Sequence, residues 1–160
     1  MQRFSRVAGV VGSVALVAAA SGCAGRNHAG GSGMVPTGAY VEQPASTGTS
    51  TVGYLDIRNN GSADELTSVS TSVGGKVQLR APAGQDVTPI VMRTVTSIPI
   101  LANTTTQLIP NSYHLLISGT KPMRDGKDIK LTLTFAHAAP TTIYALVTNP
   151  SSGGSSYFLN

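Results

Sequence analysis

The chain has 160 residues, of which 11% are charged and 5% aromatic, and it contains 18 glycines, 9 prolines and no tryptophan. This composition argues against a coiled coil or a helical bundle, which need long Glu-, Lys- and Ala-rich windows, and favours one all-β domain with many turns. The net charge of +4 is scattered, so it gives no basis for a nucleic-acid-binding surface. A single cysteine excludes an internal disulfide and a Cys-rich zinc site.

The N-terminus has the pattern of an export signal. Arg3 and Arg6 form a short positive segment, and residues 7–20 are uncharged and rich in Val, Ala and Gly. That run is shorter than the roughly 20 residues of a membrane-spanning helix, and it has the length of a signal-peptide core. We therefore assign residues 1–22 to a signal peptide.

The segment Ala20-Ser21-Gly22-Cys23 follows the apolar run and resembles the bacterial lipobox, with Ala20 in place of the usual Leu. In lipoproteins of this kind the cysteine thiol receives a diacylglycerol, and the cysteine becomes the new N-terminus. The alternative is an incidental cysteine at an ordinary cleavage site, but a lone free thiol is unusual in an exported protein. The resemblance predicts that lipidated Cys23 anchors the protein to the extracytoplasmic face of a bacterial membrane.

The mature chain divides into a tether, a domain and a tail. Residues 23–34 are Gly-rich and predict a flexible tether, in which His28 is given no metal role. Residues 35–149 have the apolar pattern of a folded domain, and residues 150–160 form a Gly/Ser-containing tail.

Apolar residues in the domain recur with period two, which predicts strands. The clearest strand covers residues 128–136, where Ile129, Leu131, Leu133 and Phe135 alternate with polar residues. The other predicted strands are short and cover residues 54–58, 64–71, 76–80, 90–100, 104–109, 112–118 and 141–148. About eight strands separated by regular turns predict a β-sandwich or a Greek-key barrel.

The sequence carries no pattern of a catalytic centre. It has no G-x-S-x-G elbow, no Walker loop and no His-x-x-x-His pair, and its seven acidic residues are scattered. We therefore predict that the protein is not an enzyme.

Three segments resemble one known family: Val52-Gly53-Tyr54-Leu55-Asp56-Ile57-Arg58-Asn59, His114-Leu115-Leu116-Ile117-Ser118-Gly119, and the run from Gly126 to Phe135. The family is the periplasmic copper chaperones, or PCuAC proteins, and the resemblance extends over residues 38–147. It implies a cupredoxin-like Greek-key fold that binds Cu(I). It also implies delivery of copper to extracytoplasmic acceptors such as the copper centre of cytochrome oxidase.

The copper-ligand pattern of this family is H-x10-M-x21-H-x-M. Met92 and His114 have the spacing of its two central ligands, so the resemblance implies that they are the ligands that remain. Arg80 stands near the first His, one residue further from Met92 than usual, and Leu116 replaces the final Met. Arg80 stays protonated and opposes a bound cation, and Leu116 lacks the sulfur atom.

Two further residues are candidates for completing such a site. Met123 is long and adaptable enough to replace the lost thioether, although an exposed loop residue is the simpler interpretation. His137 continues the inward parity of the preceding strand, and we interpret it as a hydrogen-bonded structural histidine rather than a ligand. If copper binds, we expect Met92 and His114 to face each other across adjacent strands.

Two functions remain open. The first is a copper-chaperone-like lipoprotein whose partners are the membrane and a copper acceptor such as cytochrome oxidase or its assembly factors. The second is a metal-free interaction module of the cell envelope that kept the fold and lost the site.

Overall fold

The computed structural model describes residues 33–46, 49–84 and 89–152, and this part of the chain is built almost entirely of β-strands. The strands are β1 (Met34–Glu42), β2 (Thr51–Asn59), β3 (Asp64–Thr71), β4 (Lys76–Pro82), β5 (Met92–Val95), β6 (Ile98–Ile100), β7 (Thr105–Leu108), β8 (His114–Ser118), β9 (Asp128–Phe135) and β10 (Thr141–Thr148). A 3-10 turn at Pro150–Ser152 follows. The predicted signal peptide, Cys23, His28 and the end of the tail lie outside the described residues.

The ten strands form one hydrogen-bonded sheet that folds over on itself. Its order is β5-β4-β8-β2-β1-β10-β9-β3-β6, and β7 pairs with the second half of β2. Strands β1 and β10 are parallel, and the other pairs are antiparallel. Contacts between β3 and β4 bring the two halves of the sheet together around one core, so the predicted all-β sandwich is confirmed.

The alternation in the sequence decides which side chains enter this core. In β9, Ile129, Leu131, Leu133 and Phe135 are buried, and the residues between them face outwards. Fully buried aliphatic side chains come from both halves of the sheet, namely Leu55, Ile57, Leu66, Ile98, Ile100, Leu108, Leu115, Ile117, Leu131 and Leu133. Each such burial stabilises the fold by about 1.5–3 kcal/mol relative to an exposed side chain, so the core needs no disulfide.

One predicted strand, residues 90–100, is wrong as a single element. The structure divides it into β5, which pairs with β4, and β6, which pairs with β3 at the opposite end of the sheet order. The period of two is interrupted here, because Val95 and Ile98 both face the core although they are three residues apart. The chain therefore crosses between the two halves at residues 96–97. This division and the additional strand β1 together bring the count from eight to ten.

The first described strand includes a residue that the sequence pattern assigned to the tether. Met34 begins β1 and is buried in the core, and the Asn60 amide donates a hydrogen bond to the Gly33 carbonyl at 2.8 Å. The domain therefore starts slightly before Val35. Across residues 33–46, 49–84 and 89–152 no helix has the length and apolar character needed to cross a membrane.

Candidate metal centre

Strands β5, β4 and β8 lie side by side at one edge of the sheet order and carry the predicted ligand positions. Successive side chains alternate between the two faces of a strand. Leu79, Ala81, Leu115 and Ile117 are buried on the core side. The opposite side, called the outer face here, carries Gln78, Arg80, Pro82, Met92, Thr94, His114 and Leu116.

Arg80 lies at the centre of the outer face. Its Cα is paired with His114 on β8 and with Thr94 on β5. The guanidinium donates hydrogen bonds from Nη1 to Thr94 Oγ1 at 2.8 Å and from Nη2 to the Met92 carbonyl at 2.7 Å. The next residue, Ala81, is buried in the core. Position 81, which has the spacing of the family's first His, therefore faces the core, and Arg80 is the outward residue opposite His114.

His114 has the hydrogen bond that a metal-binding imidazole needs. Its Nδ1 atom lies 3.1 Å from the Ser112 carbonyl, which can only accept a hydrogen bond. A neutral ring that donates from Nδ1 carries its free lone pair on Nε2. Carbonyl partners of this kind orient histidine ligands in metalloproteins. The local turn at residues 110–113 thus sets both the tautomer and the orientation of His114.

Two buried tyrosines, Tyr40 and Tyr54, pack in a row that ends at the ring of His114. The ring centroids of Tyr54 and His114 are 6.2 Å apart, and those of Tyr40 and Tyr54 are 5.1 Å apart. Burial, together with the negative charge of Glu42 and the neighbouring Tyr40, raises the pKa of Tyr54 to about 12, and burial also raises the pKa of Tyr40. Both phenols are therefore neutral at physiological pH, and the Tyr54 ring gives His114 an uncharged neighbour.

Met92 shares the outer face with His114 but not an adjacent strand. Its Cα is paired with Pro82, and β4 lies between β5 and β8, so the expected direct opposition of Met92 and His114 is wrong. Two strand spacings, about 10 Å, separate the two main chains. A metal held by both side chains would therefore lie over β4, close to Arg80.

Leu116 and Met123 are the two positions considered for the missing thioether, and they lie in different surroundings. Leu116 lies on the outer face two residues beyond His114, paired with Gln78 and Val52, so it occupies a position suitable for a thioether. Met123 is only 6% exposed and packs in the hydrophobic core, while its carbonyl accepts a hydrogen bond from Gln43. Its loop follows the far end of β8, so the structure does not bring Met123 to His114 as a substitute ligand.

His137 is not inward-facing, because β9 ends at Phe135 and the His137 side chain is 82% exposed. Its Nδ1 atom lies 3.1 Å from Asp64 Oδ1, in keeping with a hydrogen-bonded structural role. Within the described ranges, no three side chains of His, Cys, Asp or Glu are grouped as they would be around a metal ion. The candidate centre therefore rests on Met92 and His114.

A family model described as "Putative lipoprotein LpqE-like" matches residues 35–147, and the chain belongs to this LpqE-like family. The match covers nearly all of the described strands. A search of curated proteins found no match.

Solved structures show the same fold. The copper-bound PCuAC domain from PmoF2 is 19% identical, with a TM-score of 0.62 over 73% of this chain and 93% of that domain. The apo PCuAC domain from PmoF1 is 18% identical, with a TM-score of 0.62 over 73% and 94%. The Cu(I) form of DR1885 from Deinococcus radiodurans is 22% identical, with a TM-score of 0.57 over 72% and 77%. The predicted resemblance to PCuAC proteins is thus confirmed in the fold.

Proposed function

We propose that this protein is an extracytoplasmic copper-handling lipoprotein that binds Cu(I) through Met92 and His114. A thioether and an imidazole are both ligands that suit this soft ion. The observation that carries the proposal is the preset His114 ring, whose Nδ1 atom is engaged with the Ser112 carbonyl so that Nε2 is free on the face shared with Met92. The fold shared with copper-bound PCuAC domains supports it.

The proposed cellular role follows from the N-terminal motif. Lipidated Cys23 would hold the domain at the membrane surface, connected by the Gly-rich segment. Acceptors there include membrane copper enzymes such as cytochrome oxidase, or their assembly factors. This role is tested by mixing the Cu(I)-loaded protein with an apo-acceptor domain, separating the two and measuring copper in each fraction.

Copper binding is tested by anaerobic competition titration against a Cu(I) chelator. Met92→Leu and His114→Ala should each abolish the weak binding of the wild-type protein, because each removes one of two ligands. Met123→Leu is the matched control, since it removes a buried thioether far from the outer face and should leave binding unchanged. Equal binding by all variants would contradict the assignment.

Restoring the family pattern tests the geometry. Arg80→His places an imidazole opposite His114, and Leu116→Met adds a thioether on the same face of β8. The double variant should bind one Cu(I) far more tightly than the wild-type protein. No gain would mean that the four positions do not converge on one ion.

The metal-free interaction module remains the second candidate. The observation that favours it is Arg80, a permanent cation held at the centre of the outer face. A gain of binding in the double variant, with none detectable in the wild-type protein, would support this candidate instead.

A further inference from the structure

We infer that Arg80 makes the outer face select monovalent over divalent copper. The inference rests on the proposed binding by Met92 and His114, and it concerns the charge of the ion that the site accepts. A fixed cation repels a bound ion in proportion to the charge of that ion, so its effect on Cu(II) is twice its effect on Cu(I).

The strands that surround the site carry positive charges without carboxylates. Strands β4, β5 and β8 contain Lys76, Arg80 and Arg93 and no Asp or Glu. The nearest strands with acidic residues are β1 and β2, which carry Glu42 and Asp56. In the part of the chain that the structure describes, the single ion pair is His137–Asp64, so Arg80 has no ion-pair partner there. The charge of Glu42 reaches Tyr54, but β1 and β2 lie on the far side of β8 from Arg80.

The charge of Arg80 is also held in place. Its two hydrogen bonds, to Thr94 Oγ1 and to the Met92 carbonyl, hold the guanidinium against β5, the strand that carries Met92. One of the acceptors belongs to Met92 itself. An ion that joins Met92 to His114 therefore lies close to this cation, and Arg80 moves away only if both hydrogen bonds break.

The size of the effect follows from Coulomb's law. At a separation of about 8 Å and an effective dielectric constant of about 30, one pair of unit charges changes a binding constant about tenfold. Arg80 should then weaken Cu(I) binding about tenfold and Cu(II) binding about 100-fold. The preference of thioether for Cu(I) is the same with and without Arg80, so it cancels in the comparison of variants.

The experiment measures the affinity for Cu(I), the affinity for Cu(II) and the reduction potential of bound copper in three variants. Arg80→Gln removes the charge while keeping an amide that can donate towards Thr94. Arg80→Lys keeps the charge and loses the guanidinium fork. Arg58→Gln is the charge control. Arg58 is exposed on β2, four residues past Tyr54, and this spacing corresponds to about 13 Å along the strand. That distance exceeds the Debye length of about 10 Å at 0.1 M salt, so the charge of Arg58 is screened from the site.

Arg80→Gln should gain about tenfold more affinity for Cu(II) than for Cu(I), which corresponds to a potential about 59 mV lower than that of the wild-type protein. Arg80→Lys and Arg58→Gln should keep the wild-type ratio. Equal gains for both ions in Arg80→Gln, or no gain, would overturn charge selection while leaving copper binding intact. Absence of Cu(I) binding in the wild-type protein and in every variant, with an unchanged β circular dichroism spectrum, would overturn the proposed function as well.

Discussion

Asp64 offers the sharpest test of how the start of β3 is joined to the connection between β9 and β10. Its side chain is only 4% exposed. Oδ1 accepts hydrogen bonds from the Glu65 amide at 2.7 Å and from the amide and Nδ1 of His137 at 3.1 Å, and Oδ2 accepts one from the Ala138 amide at 2.7 Å. One carboxylate therefore joins the start of β3 to the connection between β9 and β10.

Asp64→Asn keeps one side-chain oxygen and replaces the other with an NH₂ group, which then faces backbone N–H groups that need an acceptor. With the oxygen in place of Oδ1, the new NH₂ faces the Ala138 N–H, so that a donor meets a donor. A buried donor without a partner costs about 1–3 kcal/mol. Because His137 is exposed and water can reach part of the cluster, we expect a loss of about 2 kcal/mol at pH 7.

The pH dependence of this loss in the free energy of unfolding tests whether the ionised form of the Asp64 carboxylate is responsible. Burial alone would raise the pKa of Asp64, but hydrogen bonds from Glu65, Ala138 and His137 outweigh it and hold the pKa below its ordinary value of 3.8. The folded state thus favours the ionised form. The stability that this adds is present above pH 3.8 and disappears as the pH falls through the lower folded pKa.

Urea unfolding followed by circular dichroism at several pH values between 7 and 3 measures the effect. The difference between the wild-type protein and Asp64→Asn should be greatest near pH 7 and shrink below pH 4. Asp128→Asn, at an exposed position on β9, should change stability by less than about 0.5 kcal/mol throughout. A difference for Asp64→Asn that stays constant down to pH 3 would refute the role of the ionised carboxylate.

Three further predictions concern the core, the anchor and the domain boundary. Leu133→Ala, at a fully buried position of β9, should lower the free energy of unfolding by about 2–5 kcal/mol. The neighbouring Thr132→Ala should lower it by well under about 2 kcal/mol, and similar losses for both variants would contradict the faces assigned to β9. Cys23→Ser should abolish labelling by a metabolic acyl probe, and unchanged labelling would exclude Cys23 as the lipidation site. Limited proteolysis should leave a β-rich core of about residues 33–149 and cut the Gly-rich segment before it, and rapid cleavage inside β1 would contradict this boundary.

Period-two alternation was sufficient to find most of the sheet. Strands β3 and β10 were predicted with their observed bounds, and β9 with one extra residue, because each has one face in the core and one in solvent. The strands β5 and β6 were merged because residues 90–100 form one extended run in the sequence. Only the pairing of β5 with β4 and of β6 with β3 shows that the run serves both halves of the sheet.

The candidate site was less predictable, because spacing along the chain does not give strand order. A separation of 21 residues between Met92 and His114 is compatible with adjacent strands or with an intervening strand, and the structure shows β4 between them. The contact of His114 with the Ser112 carbonyl was also missed, since a backbone acceptor has no sequence signal. Tyr54 lay inside a segment that resembles the family, yet its position beside His114 follows only from the pairing of β2 with β8.

If copper binds as proposed, the hydrogen bonds of Arg80 also decide whether the ion is needed to hold β5 in place. Strand β5 is four residues long and pairs with β4 alone, so on its own it is a weakly held edge strand. The two hydrogen bonds from the Arg80 guanidinium tie it to β4 from the side-chain direction, at the position where the family pattern places a metal ligand. Strand β5 is therefore held in place without a metal. A weakly bound ion adds RT ln(1 + c/Kd) to the stability, where c is the free ion concentration, and this stays small until c exceeds the dissociation constant Kd. The proposed site could therefore load and release an ion without ordering or melting the strand that carries Met92.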